Sequence, residues 1–306
     1  KLDLVDNINP YLLSGKTIFV ESVKTPICPV SPMYFGSKPT DGGYFFLTPE
    51  EKQVIVRKEP QSEKYIRKVL GAQEYINNVE RYCLWLVGIT PSELKSSPMI
   101  YERVKKVREF RLASKAESTR KFADRPTEFK QNAQPNKPYL IVPRVSSENR
   151  RYVPIGYIDP EVIATDATQI IPNATLYEFG VITSNVHMAW MRTVAGRLKS
   201  DYRYSSTIVY NTFPWPKITE EQKEYISKTA QGILDARALE SESSLADLYN
   251  DVIMPVELRK AHQANDIAVM KAYGMIKKVN GKDKLMSETE TISKLFEMYE
   301  ELTSKK

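Results

Sequence analysis

Lys199, Asp201 and Arg203, spaced two apart, are the clearest place in this 306-residue sequence for directional polar chemistry. They alternate with Ser200, Tyr202 and Tyr204. On an extended chain, residues two apart point the same way and lie about 7 Å from one another. Lys199 then offers a donor and Asp201 an acceptor side by side. Arg203 follows on that face, and the two tyrosines turn the other way. In the major groove of duplex DNA, guanine presents acceptors at N7 and O6 and cytosine presents the N4 donor. Lys199 suits the guanine and Asp201 the cytosine of one G·C pair, and Arg203 suits a neighbouring purine N7. A solvated ion pair, worth little, has the same spacing, and spacing alone favours that plainer reading.

A tip of this kind needs a support on each side. Val181 to Leu198 carries apolar residues at helical spacing, with Ser184 or Asn185 available to cap its start. On the far side Thr207 to Tyr210 is β-branched and aromatic and predicts a strand. Phe213-Pro214-Trp215-Pro216 is a rigid stop, and Trp215 reads as a pin for that junction rather than as a platform for a base.

A second source of polar contact is residues 101–130, the most basic stretch of the chain. Val104, Val107 and Leu112 keep an apolar stripe through it, so it predicts an amphipathic helix with a positive outer face. Arg103, Lys106, Arg120 and Lys121, with Arg150 from a polar connection near 146–151, are the candidate contacts to DNA phosphates. Such contacts position a protein on nucleic acid without reading sequence. A net charge of +6 is compatible with a polyanionic partner.

Enzymatic chemistry is hard to find. His187 sits beside Met188 and Trp190 and reads as a packing residue, as does His262. Neither has metal-ligand spacing. Cys28 and Cys83 give no disulfide framework, and the reducing cytoplasm suits them. Gly36 and Gly42-Gly43 do not form a phosphate loop, and Ser146-Ser147 is not a nucleophile elbow. A hydrolase built on Asp166 and His187 is the weakest of three readings. No apolar run is long enough to cross a bilayer. The chain begins without Met and in mid-pattern, which predicts a piece of a longer protein.

Element signals are uneven along the chain. Thr48-Pro49-Glu50-Glu51 and Thr90-Pro91-Ser92-Glu93 are helix starts. Ser62 to Leu70 reads as helical, and Tyr82 to Val87 as a buried strand. Tyr139 to Val145, Tyr152 to Ile158 and Thr168 to Ile171 are strand-like. Past Pro216 three helices are expected: one from Thr219, one from Met254-Pro255 to Gly274, and one from Ser287 to Leu302. The fold class is therefore α+β. A mixed target-binding domain over 1–216 is followed by an all-helical region over 217–306.

Several runs resemble the C-terminal part of the MmeI-like restriction-modification enzymes. They are Arg144 to Gly156, Thr183 to Trp190 and Tyr210 to Pro216, continued by Trp85, Arg111 to Lys115 and Leu258 to Asp266. Such enzymes join a nuclease, an S-adenosylmethionine-dependent adenine-N6 methyltransferase and a target-recognition domain. The resemblance implies double-stranded DNA as partner, together with the methyltransferase domain of the same parent chain. It also favours base reading by Lys199, Asp201 and Arg203, because this segment varies with the base recognised in such enzymes. The family's Asn-Pro-Pro-Tyr motif, glycine-rich cofactor turn and nuclease motif are missing from these residues: Asn9-Pro10-Tyr11 lacks the second proline. No cofactor is therefore expected for residues 1–306. S-adenosylmethionine is expected for the whole protein, with Mg for any cleavage. The competing reading is a protein-interaction module that docks on the rest of its own chain or on a partner.

Overall fold

The computed structural model describes residues 7–12, 16–279 and 282–304. The chain divides into two compact units, and neither is a continuous stretch. One unit, here the basic unit, comprises Phe35–Ile141 and Tyr157–Ile170. The other, the hairpin unit, comprises Lys1–Tyr34, Val142–Gly156 and Ile171–Lys306. Every passage of the chain from one unit to the other falls inside a strand: Tyr34–Phe35, Tyr139–Pro143, Gly156–Ile158 or Thr168–Pro172.

The basic unit is organised around a four-stranded sheet, in the order Phe46–Leu47, Tyr82–Leu84, Ile66–Leu70, Ile163–Ala164. The first three strands pair antiparallel and the last joins parallel. Ser62 to Leu70 is thus not the expected helix. A 3₁₀ turn at Pro60–Tyr65 leads into the strand Ile66–Leu70, which bonds to a neighbour on both edges. Sheet pairing overrides a pattern that is ambiguous over nine residues. The helices Pro49–Lys58 and Pro91–Lys95 begin where the sequence placed them. Thr48 and Thr90 each close a capping box with Glu51 and Glu93. Phe45, Trp85 and Phe129 centre the core, with ring centroids 5.4 Å and 4.9 Å from Phe129.

Arg111 is the exception in the basic helix Pro98–Leu112: it is fully buried. Its guanidinium donates to the carbonyls of Thr40, Pro39, Arg125 and Glu128 at 2.7–2.9 Å. A charge removed from water must be met by hydrogen bonds in this way. It faces inward and ties two loops together, so it adds nothing to the positive outer surface.

In the hairpin unit, the helix Glu220–Ala238 packs against Val256–Ala272 and against Leu176–Ile182. Gly180 permits the second contact. A Cβ there would stand 2.8 Å from Ile226 and 3.0 Å from both Ala230 and the Asn265 amide oxygen. Asn265 donates to the Gly180 carbonyl at 2.8 Å, so the close approach is also hydrogen-bonded. The third expected helix, Glu288–Thr303, is capped by Ser287 and Glu290. The region past Pro216 is not purely helical, because an antiparallel pair, Ile276–Val279 with Lys282–Leu285, lies between the last two long helices. The Gly274 turn (φ +62°) that stops Val256–Ala272 releases the chain into Ile276–Val279.

Candidate nucleic-acid interface

The support of the tip is a broken helix rather than a continuous one. Leu176–Ile182 ends at Thr183. Ser184 then caps Asn185–Val194, accepting from the His187 amide. Asn185 donates its own amide to the Asp266 carboxylate at 2.7 Å. The other oxygen of Asp266 accepts from the Tyr152 hydroxyl at 2.7 Å. Burial pushes this carboxyl up to about 6.

Beyond Ala195 the chain becomes a β-hairpin. Gly196–Leu198 pairs antiparallel with Asp201–Arg203, which pairs in turn with Val145–Ser146. Arg197, Tyr202 and Ser146 share one face of this small sheet. Gly196, Leu198, Asp201, Arg203 and Val145 share the other. Tyr202 is buried, with the Arg197 guanidinium 3.8 Å from its ring centroid. Arg197 also closes the turn by donating to the Ser200 carbonyl at 2.8 Å. Tyr204 is buried just past the strand, its hydroxyl 2.7 Å from His187 Nε2. The two tyrosines therefore fasten the tip from below, as alternation predicted.

Alternation fails at Lys199. It lies in the two-residue turn with a positive φ of 56°, so it is not extended and does not stand in register with Asp201. Asp201 and Arg203 do share a strand face. Lys199 and Arg203 are exposed, and neither side chain makes an ion pair or hydrogen bond among the described residues. Asp201 is half-buried and accepts from the Glu148 amide at 3.3 Å. Arg150 is half-buried too. Desolvation holds its pKa below the usual arginine value, while the nearby charge of Asp201 pulls the other way. Arg150 and Arg151 also line a cleft of about 490 Å³ with Asn185, Arg192, Asp251 and Glu288.

Thr207 to Tyr210 is not a strand. Ser206–Tyr210 forms a π-helical turn closed by the Asn211 amide on the Ser206 carbonyl, and the N-terminal segment bonds to it and to the residue that follows. Val23 donates to the Thr207 carbonyl and Ile27 to that of Asn211, at 2.9 and 2.8 Å. Trp215 is buried against Phe213 and Tyr210, which agrees with its reading as a pin.

The candidate phosphate contacts in the basic unit have unequal freedom. Arg103 spends its donors inside the protein, on the carbonyls of Tyr44 and Phe46 and on Glu51. Arg120 donates to the carbonyls of Ser114 and Lys115 at 2.8 Å. Lys121 is exposed and pairs with Glu117 in the next turn of its own helix, and Lys106 is exposed near the Tyr44 ring. The hydrolase reading loses its base. His187 is fully buried, bonded to Tyr204, and pushed down to about 3 by burial. Among the described residues no group of three or more His, Cys, Asp or Glu is placed to hold a metal, and no helix is long and apolar enough to cross a membrane.

Residues 14–217 match the family described as MmeI, target recognition domain, and residues 218–305 match MmeI, C-terminal domain. The chain belongs to the MmeI family. It is 37% identical over 302 residues to "DNA methyltransferase A" of Bacillus subtilis (strain 168), covering 99% of this chain and 33% of that protein. A solved type IIL restriction-modification enzyme, MmeI in complex with DNA, superposes with a TM-score of 0.92 at 46% identity. That match covers 98% of this chain and 39% of the MmeI chain. The present chain thus spans well under half the length of these relatives.

Two features of the interface escaped the sequence reading. Arg197 was not singled out: simple alternation sets it, two residues before Lys199, with the charged row, and only the hairpin pairing places it opposite Tyr202. The turn at Lys199-Ser200 was missed because it lacks the usual Asn-Gly or Asp-Gly signal.

Proposed function

We propose that this chain recognises a specific sequence in double-stranded DNA on behalf of a methyltransferase of a restriction-modification system. Residues 1–216 act as the recognition part and 217–306 as its helical support. The carrying observation is the hairpin: two unpartnered cations and a half-buried carboxylate are presented on a tip whose opposite face is anchored by buried tyrosines. A fixed donor and acceptor set is what base reading needs. The family, and the solved relative named as bound to DNA, support the same reading.

Asp201 and Arg203 read from the strand face and Lys199 from the turn. Arg150, Lys106 and Lys121 contact phosphate. Arg103 and Arg120 join them with the donors that their bonds to carbonyls leave over. The complete polypeptide uses S-adenosylmethionine as methyl donor, a reading supported by the relative named a DNA methyltransferase. Mg serves any cleavage, and the methyltransferase portion of the same polypeptide is the chain's protein partner.

Two measurements test the proposal. Duplex binding should weaken steeply as salt rises, by about one unit of log–log slope per phosphate contact. A flat salt response would remove DNA as the partner. In the complete polypeptide, Lys199→Glu with Asp201→Arg should move methylation to sites with a different base pair at the positions these residues meet. An unchanged site at full rate would show that these two residues do not read bases.

A second reading has its own observation. Leu239, Val252, Ile253 and Val256 are exposed aliphatics close together in sequence around the short helix Leu245–Leu248. They suit docking on the remainder of the same polypeptide. Replacing Val252 and Ile253 by Ser would then lower methylation without changing the site preference.

A further inference from the structure

The open face of the hairpin carries one residue that charge reading leaves out. Leu198 is 55% exposed, although it sits in a strand. It stands directly across from Asp201, on the same face as Arg203. Directly opposed residues in an antiparallel pair have their Cβ atoms about 5 Å apart. Gly196, two residues before Leu198 on that face, has open space where a side chain would stand. Leu198 is therefore the exposed apolar group on a face it shares with Gly196, Asp201, Arg203 and the half-buried Val145, and the turn lysine lies next to it. Free cations on both sides favour a polyanionic surface over an apolar protein partner.

An aliphatic side chain needs an apolar counterpart on that surface. In the major groove of unmodified DNA that counterpart is the 5-methyl group of thymine. The geometry points to Leu198 as a specificity-determining residue that contacts a thymine 5-methyl beside the base met by Asp201. This inference rests on the proposed reading of DNA by the hairpin. It adds an apolar element to what would otherwise be a purely polar code. It also accounts for a leucine where a polar residue would be cheaper to expose. Removal of one buried methyl contact corresponds to about a fourfold loss of affinity.

The test uses the complete polypeptide that carries these residues. Its preferred duplex is selected from a randomised pool, and each thymine is then replaced in turn by deoxyuridine, which removes only the 5-methyl. One position should lose about fourfold in affinity. Leu198→Ala should bind the thymine duplex more weakly by a similar factor and no longer distinguish thymine from deoxyuridine there. Leu198→Met should keep the discrimination. The inference is overturned if the deoxyuridine effect survives in Leu198→Ala, if no thymine position is sensitive, or if only 5-methylcytosine gives a response. Arg203→Ala separates this failure from that of the underlying reading. If that change leaves affinity and site preference intact, the hairpin is not on the duplex and both ideas fall. If it alters them while Leu198→Ala does nothing, the methyl contact alone falls.

Discussion

Lys199→Gly should make the protein more stable and worse at its task. Lys199 holds a φ of 56° in the hairpin turn. For an L-residue the left-handed region costs roughly 1–2 kcal/mol, because Cβ crowds the following carbonyl. Glycine adopts it freely but loses more chain entropy on folding, roughly 0.5–1 kcal/mol relative to alanine. The net gain is about 0.5–1 kcal/mol. No side-chain contact offsets this gain, since Lys199 is exposed and unpartnered among the described residues. For a domain of this size the gain corresponds to a rise in Tm of about 1–4 °C. The ammonium is lost at the same time. If it reads a base, affinity for the preferred duplex falls by roughly 1–3 kcal/mol while affinity for unrelated duplex changes little. If it meets only phosphate, both fall together and the salt slope drops by about one unit. Thermal denaturation, with duplex titrations at two salt concentrations, reads all of this. Lys199→Arg is the control that keeps the charge and the strain. A glycine variant with a higher Tm but unchanged affinity and site preference would refute the idea that the strained lysine is kept for DNA. A lower Tm would refute the strain argument itself.

Further expectations concern the support rather than the tip. Asp266 has a folded pKa raised to about 6 by burial, so its stabilising effect is full below the unfolded carboxyl value and is lost as pH rises through about 6. The Tm difference between wild type and Asp266→Asn should fall between about pH 4 and 6 and level off above it, by thermal scans across that range. A difference that grows with pH would show the carboxylate to be favoured instead. Gly180→Ala should destabilise by roughly 1–3 kcal/mol in urea, because a Cβ lands 2.8 Å from Ile226 in a helix contact with little room to move. Arg111→Met should lose on the order of 3 kcal/mol in the same assay, since it takes the guanidinium donor from the Thr40 and Glu128 carbonyls and unties the two loops. Purified residues 1–306 should transfer no methyl group from S-adenosylmethionine to DNA in a radiolabel assay.

Local signals were legible in the sequence and contextual ones were not. Thr48, Thr90, Thr219 and Ser287 all cap helices where a Thr or Ser is followed three residues later by Glu or Gln. That chemistry is complete within four residues, so it survives in the sequence. Ser62 to Leu70 failed because its partners, Tyr82–Leu84 and Ile163–Ala164, lie far along the chain. Thr207 to Tyr210 failed for a different reason: the turn is closed locally, by Asn211 on Ser206 and Val209 on Ser205, and the distant Val23 and Ile27 take the Thr207 and Asn211 carbonyls that a strand would have offered to a neighbour. At the interface, alternation found the buried tyrosines and the strand pair Asp201 and Arg203. It could not show that Lys199 bends the chain, because a lysine carries no turn signal. Arg111 lies in the most basic stretch of the chain, and only the carbonyls around it reveal that it is internal.

The division of the chain also sets an order of events during synthesis. All the residues of the basic unit have been made once Ile170 has left the ribosome. The hairpin unit must wait. Its N-terminal segment bonds to Thr207 and Asn211, and Trp190 packs on Phe296 and Tyr299 of the last helix. At about 5–20 residues per second, the delay is roughly 7 to 27 seconds. During that interval Tyr202, Tyr204 and Trp190 have no finished core to enter. A nascent chain with those aromatics uncovered is a natural client for chaperones, and slower translation beyond residue 170 would lengthen its exposure.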